Sequence, residues 1–104
     1  NHAVMGNPKK ADNRVTNLHA TLQRATKNGD LKNEAKVRRE LGELLRAKGN
    51  CKKAIEHYTK AFELTEKDEK DDRLHLLNEL IELHAEEGNY DECVKCLTVC
   101  EEES

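Results

Sequence analysis

Three cysteines lie close together near the end of the chain: Cys93, Cys96 and Cys100, spaced C-x2-C-x3-C. On a helix these side chains share a face, because residues three and four apart are neighbours there. Thiolates so placed could hold zinc, and His84 lies one turn before the preceding loop. A zinc site needs four donors converging in a tetrahedron. The same residues could instead be small apolar side chains in a core, or include an exposed reactive thiol. A disulfide between 93 and 96 would be strained across one helical turn and is not expected. Four cysteines without a framework spacing point to a reducing compartment, and so to an intracellular protein, cytoplasmic or nuclear.

The other chemistry-bearing types are less suggestive. The histidines are His2, His19, His57, His75 and His84. They include no His-x3-His pair, and none accompanies a recognisable serine nucleophile motif. No glycine-rich phosphate loop is present. The acidic run Glu66 to Asp72 lacks the glycine and ligand spacing of a calcium loop and reads as a solvated hinge. The sequence therefore assigns no catalytic residue, no cofactor and no metal, and an enzyme is not expected.

These residues need elements to carry them. Of 104 residues, 36% are hydrophobic and 38% charged, which is apolar-poor for a globule. Periodic Leu and Ala nevertheless separate the chain from a disordered one. With 3% aromatic residues and few β-branched ones, a β-rich fold is excluded. No apolar run is long enough to span a membrane, and no signal peptide is visible. Asn1 to Pro8 reads as an expression scar with a flexible leader, so residues 1–10 are set aside, and the parent protein is expected to be longer.

Five helices follow from the 3.6-residue period. Val15, Leu18, Leu22 and Ala25 form one stripe over 11–27. Ala35, Arg38, Leu41, Gly42 and Leu45 continue it over 31–48. Ala54, Ile55, Tyr58, Ala61 and Phe62 mark a third helix over 51–65. Leu76, Leu77, Leu80, Ile81 and Leu83 mark a fourth over about 73–86. Cys93, Val94, Cys96, Leu97 and Cys100 mark a fifth, starting at Tyr90 or Asp91. Gly29, Gly49 and Gly88 stand where left-handed helix ends are needed, and Asp30, Asn50 and Asn89 follow as N-caps, Asn89 with Glu92 as a capping box. The acidic tail Glu101-Glu102-Glu103 opposes the macrodipole at a helix C-terminus. Gly-Asn recurs at 49–50 and 88–89, an offset of 39 that implies stacked helical hairpins.

Leu41-Gly42, Gly49, Ala54, Tyr58 and Ala61 together resemble a tetratricopeptide repeat, with Cys51 in place of the expected Tyr. A second copy keeps Leu80, Gly88 and Tyr90. Ile81 replaces the small Gly, Leu97 the second aromatic, and Cys93 and Cys100 the two Ala. Gly and Ala occupy those sites because two helices approach closely there, and Cys is small enough to substitute. On this resemblance the cysteines are core thiols rather than metal ligands, and Ile81 implies a wider helix crossing. The long repeat is similar to those of Tonsoku-like, Pins-like and kinesin-light-chain proteins. Ala35 and Leu41-Gly42-Glu43-Leu44-Leu45 after a basic helix are similar to the opening of Tonsoku-like replication-repair scaffolds.

The resemblance implies an all-α, α-α superhelical solenoid of antiparallel helix pairs: a leading helix (11–28), repeat 1 (31–66) and repeat 2 (72–104). It implies a protein–protein scaffold or adaptor that holds a partner peptide or helix in its concave groove. The groove residues it designates are Lys36, Arg39, Glu43 and Arg46, then His75, Asn78, Glu82 and Glu86. A chaperone-tail carboxylate clamp is not implied, since Glu43 stands where that clamp needs Asn.

Charge adds a polarity to the array. Residues 1–50 carry 11 Lys/Arg against 5 Asp/Glu, and residues 51–104 carry 7 against 16. Such patches steer oppositely charged partners. An RNA-contacting basic helix from Arg14 to Lys32 is the alternative they leave open. Self-association through an exposed last helix, near Leu97 and Cys100, is a further one.

Overall fold

The computed structural model describes residues 8–103, with side chains from Asn13 onward. The first seven residues of the expected leader lie outside the described residues. Five helices follow in order: α1 (Pro8–Asn28), α2 (Leu31–Ala47), α3 (Cys51–Leu64), α4 (Lys70–Glu86) and α5 (Tyr90–Glu103). Pro8 opens α1 at the first helical position, where its missing N–H costs nothing.

Three helix ends are built alike. Gly29, Gly49 and Gly88 have φ of 69°, 86° and 77°, the left-handed region that favours glycine. At each, the next residue's N–H reaches back across the turn: Asp30 to Ala25 O at 2.9 Å, Asn50 to Leu45 O at 2.8 Å, Asn89 to His84 O at 2.7 Å. The glycine N–H bonds inside that loop, as Gly49 does to Arg46 O at 2.9 Å. These are Schellman ends, and the 39-residue recurrence of Gly-Asn is this motif repeated. Asp30 and Asn50 then cap the following helices, accepting from the amides of Asn33 and Lys53 at 3.3 Å each. Asn89 behaves differently. Its side-chain Nδ2 turns back to within 3.3 Å of His84 Nδ1, so the capping box read from Asn89 and Glu92 has a different partner.

The link between the hairpins is shorter than its charge suggests, because α4 begins at Lys70 rather than near 73. Asp71 and Asp72 sit in its first turn, where the helix dipole favours negative charge. The composition of that run is unfavourable for burial but not for an exposed helix start.

Consecutive helices pack on one another along the chain. The assembly is a thin slab of 50 × 35 × 18 Å, with two cores in series. Leu22, Val37 and Leu41 join α1 to α2, with Val15 and Leu18 beside them. Ala54, Tyr58 and Ala61 of α3 meet Leu76, Leu80 and Leu83 of α4. Within the first pair, a Cβ built on Gly42 would stand 3.0 Å from the Tyr58 ring, so the ring packs where a larger residue would project. Within the second pair, Cys93 Sγ donates to Ile81 O at 3.4 Å. The small thiol lets α5 approach the α4 backbone beside the bulky Ile81. Neither pair buries its apolar stripe alone; stacking does so, as in a solenoid.

Candidate functional site

α2 and α4 are the first helices of their pairs and lie side by side. Their ion pairs run in the same sense along both: Arg39 Nη1 to Asp72 Oδ1 at 3.6 Å, then Arg46 Nη1 to Glu79 Oε1 at 2.9 Å. The two helices are therefore parallel, which is what stacking two like hairpins requires. All eight designated residues come from these two helices.

At one end of this shared face, Lys36 and Arg39 line a cleft of about 340 Å³ together with Lys32, Glu69 and Asp72. Ala35, Leu64 and Leu76 supply apolar lining. Lys36 is exposed and Arg39 is half-buried, tied across the cleft to Asp72.

At the other end, Arg46 bridges to three carboxylates of α4. Its Nη2 also donates to Glu82 Oε1 at 3.0 Å and to Glu86 Oε2 at 2.8 Å. Burial would lower its pKa, but the hydrogen bonds it donates to Glu82 and Glu86 outweigh that and raise it. Glu79 also accepts from the Tyr58 hydroxyl at 3.4 Å. Burial, then the negative charges of Glu79 and Glu43, push the Tyr58 phenol well above its usual value of 10. Cys51 Sγ donates to Glu86 Oε1 at 3.6 Å, and its thiol is pushed up by burial and then by that carboxylate. Arg46 thus ties Glu79, Glu82 and Glu86 across the helix pair, and one positive charge against three carboxylates leaves the cluster net negative. His75, Asn78 and Glu43 stand exposed on the same two helices.

Sequence reasoning missed Lys32, Glu69, Asp72 and Glu79 on this face, and Arg73 away from it. Glu79 had a signal, since 79, 82 and 86 fall on one side of a helix at steps of three and four. Arg73 had none. It is buried, with Nε bonded to Glu103 Oε1 at 2.8 Å and Nη1 to Thr65 O at 2.8 Å. Its guanidinium lies 4.1 Å from the centre of the Phe62 ring.

The cysteines divide by place. Cys93 is buried, and Cys51, Cys96 and Cys100 are half-buried. Burial pushes the Cys96 and Cys100 thiols up. Among the described residues, the group with three potential ligands in mutual reach is Glu66, Asp68 and Glu69 in the α3–α4 turn; the cysteines and His84 form no such group.

A family model described as "Soluble NSF attachment protein, SNAP" matches residues 3–103. The chain belongs to the SNAP family. SNAP proteins are helical-repeat, protein-interaction modules of scaffold type. The match is to SNAP and not to the tetratricopeptide family proper or to Tonsoku-like proteins, although the hairpin architecture is of the same kind. No curated protein and no solved structure matches the chain. Among the described residues, no helix is long and apolar enough to cross a membrane.

Proposed function

We propose that this chain is an intracellular, non-enzymatic adaptor that holds a protein partner along the shared α2–α4 face. The observation that carries the proposal is the parallel pairing of α2 with α4. It aligns one continuous surface from the Lys36–Arg39 cleft to the Arg46 carboxylate cluster.

The two ends of that face have different jobs in this reading. Arg46 holds the two hairpins in register, because its guanidinium reaches three carboxylates of α4, those of Glu79, Glu82 and Glu86. The Lys36–Arg39 end is the contact surface. Lys36 is exposed, and Arg39 spends one long ion pair with half-exposed Asp72, a type of pair worth roughly 0–1 kcal/mol. A partner can displace such a pair at small cost. Hot spots on interfaces are enriched in Arg flanked by apolar surface, and Arg39 beside Leu64 and Leu76 has that setting.

Membership of the SNAP family supplies the first partners to try. The family is named for attachment of NSF, and SNAP proteins bind SNARE complexes. Purified NSF and a purified SNARE complex should be titrated against the wild-type chain, a Lys36→Glu/Arg39→Glu variant and an Arg46→Met variant. The first variant is expected to keep its helical circular dichroism and lose binding by about tenfold or more, the scale of a charge reversal at a contact residue. Equal binding by wild type and the Lys36/Arg39 variant would remove this end of the face from the interface.

A further inference from the structure

Thr65 is the residue on which α3 ends. It caps that helix with extended backbone, φ −79° and ψ 130°, and its hydroxyl donates to Ala61 O at 2.7 Å. The side chain is half-buried and lines the same cleft of about 340 Å³ as Lys32, Lys36 and Arg39. Those three cations fall at steps of four and three along α2, on one side of that helix. Among the described residues, Lys32 and Lys36 form no ion pair, and Arg39 makes the single long pair with Asp72 at 3.6 Å. A hydroxyl thus stands at a cleft whose cations are loosely held.

The residues after Thr65 are those that a kinase reads. Glu66, Asp68 and Glu69 follow it at one, three and four positions, and their carboxylates lie within 4.8 Å of one another. Glu66 and Asp68 are exposed and Glu69 is half-buried. An acidic cluster just beyond a threonine hydroxyl complements a protein kinase whose substrate groove is basic.

From this juxtaposition we infer that Thr65 is a phosphorylation site for a kinase selective for acidic sequences, and that its phosphate takes Lys32, Lys36 and Arg39 away from a partner. The second half rests on the reading of the Lys36–Arg39 end as the contact surface. The step moves the γ-phosphoryl group of a nucleoside triphosphate. A bond forms between Thr65 Oγ1 and that phosphorus, the bond from phosphorus to the nucleoside diphosphate breaks, and the hydroxyl proton passes to the kinase's base. Oγ1 then has no hydrogen for Ala61 O, while the Thr65 N–H still bonds that carbonyl at 3.0 Å. The helix end therefore persists and the side chain is released to turn toward α2. The phosphate carries about −1.5 to −2 charges, so Arg39 exchanges Asp72 for it through stronger, charge-assisted hydrogen bonds. The α3 dipole opposes an anion at its C-terminus, which leaves the cations of α2 as what holds the phosphate.

The test starts with the whole chain in its Thr98→Val form, which removes the other threonine followed by a run of glutamates. It is incubated with a purified acidophilic serine/threonine kinase and ATP, and the product is mapped by mass spectrometry. A phosphate on Thr65 is expected, absent when Thr65→Val is added; an unmodified Thr65 overturns the inference. Phosphorus NMR over a pH series then reads the surroundings of the phosphate without any partner. Its second ionisation is expected below the usual value of about 6, and below that of a free phosphopeptide of residues 61–69, since nearby opposite charges favour the ionised form. Lys32→Ala/Lys36→Ala/Arg39→Ala should return it to the peptide value, with circular dichroism checking that the helices remain. A titration that matches the free peptide overturns the inference. Binding of NSF and of the SNARE complex is measured last, and a loss of about tenfold or more on phosphorylation is expected. Binding that withstands the phosphate but not Lys36→Glu/Arg39→Glu overturns the switch. Binding that withstands both removes this face as the partner surface, while the phosphate contact stands on its titration.

Discussion

Arg73, in the first turns of α4, and Glu103, the last described residue of α5, form a two-point ion pair that closes the second hairpin. Arg73 Nε meets one carboxylate oxygen and Nη2 the other, while Nη1 holds Thr65 O at the end of α3. One guanidinium thus joins three helices and stacks on Phe62. Glu103 opposes its own helix dipole, yet the bond to Arg73 holds its carboxyl below the usual range, against the effect of burial.

Glu103→Gln should therefore lower Tm at neutral pH and flatten the acid side of the stability curve. The sign follows from the lowered carboxyl pKa. Stability from the ionised pair is complete above the unfolded value of 4.5 and is lost as pH falls through the folded one. Thermal melts from pH 7 to pH 3 check it. A wild type and variant whose Tm difference is constant over that range would show that the pair contributes no such linkage.

Gly42 and Tyr58 set the spacing of the first hairpin. The phenol ring is 1% exposed and has no room to retreat from a Cβ at 3.0 Å. Alanine gains about 1 kcal/mol in helix propensity over glycine, but overpacking a filled core costs about 1–3 kcal/mol. Gly42→Ala is expected to destabilise by about 1 kcal/mol net. Tyr58→Leu alone costs more, since it leaves a void. The double variant should be more stable than the sum of the two predicts, because the smaller residue at 58 makes space for the methyl. Urea unfolding of the four proteins measures the coupling, and simple additivity would separate the two sites.

How much of this was legible differs between the hairpins. Leu41, Gly42, Ala54, Tyr58 and Ala61 could be read because close packing demands small residues at fixed steps, and all five are buried. The ends of α1, α2 and α4 could be read because glycine meets the left-handed turn there, whereas the Asn89 side chain turns back to His84 and α4 starts at Lys70, ahead of its apolar pattern. Arg73 and Glu103 could not, since a pair 30 positions apart leaves no local spacing. The groove was legible as a face but not as a network. Arg46 looked like one more basic side chain, and only the parallel approach of α4 brings Glu79, Glu82 and Glu86 to it. Leu97 stands where the repeat pattern has its second aromatic, yet it is exposed, while Cys96 of α5 packs against the α3–α4 core.

The Arg46 cluster makes a prediction through Cys51. That thiol is raised first by burial and then by Glu86, which accepts its hydrogen. Alkylation requires the thiolate. Replacing Glu86 with Gln removes a negative charge beside the sulfur, so Cys51 should react faster with iodoacetamide at neutral pH. Mass spectrometry of each cysteine resolves the sites. Cys93, bonded to Ile81 O inside the hairpin, should remain the slowest in both proteins. Faster labelling of Cys93 in the variant would mean that the hairpin had opened, and an unchanged Cys51 rate would detach Glu86 from its reactivity.

His57 gives the first core a dependence on pH. Its ring stands between Arg38, whose Nη1 is 3.5 Å from Nδ1, and His19 of α1, 6.0 Å away between ring centres. Burial lowers its pKa below 6.5, and the positive charge of Arg38 and then His19 adds to this; Glu56 opposes it, and Lys53 reinforces it. Arg38 itself is held by Glu34 at 3.0 Å, so it does not leave when the ring is protonated. With the folded pKa below the unfolded value, the unfolded chain binds the extra proton first. Stability is complete above about pH 6.5, falls as pH drops below it, and levels off once the folded ring is also protonated. His57→Gln should remove this loss while keeping a polar side chain of similar reach. Urea midpoints between pH 7.5 and pH 5 decide it: a wild-type decline that His57→Gln abolishes assigns the proton to this ring, and one that persists in the variant assigns it elsewhere.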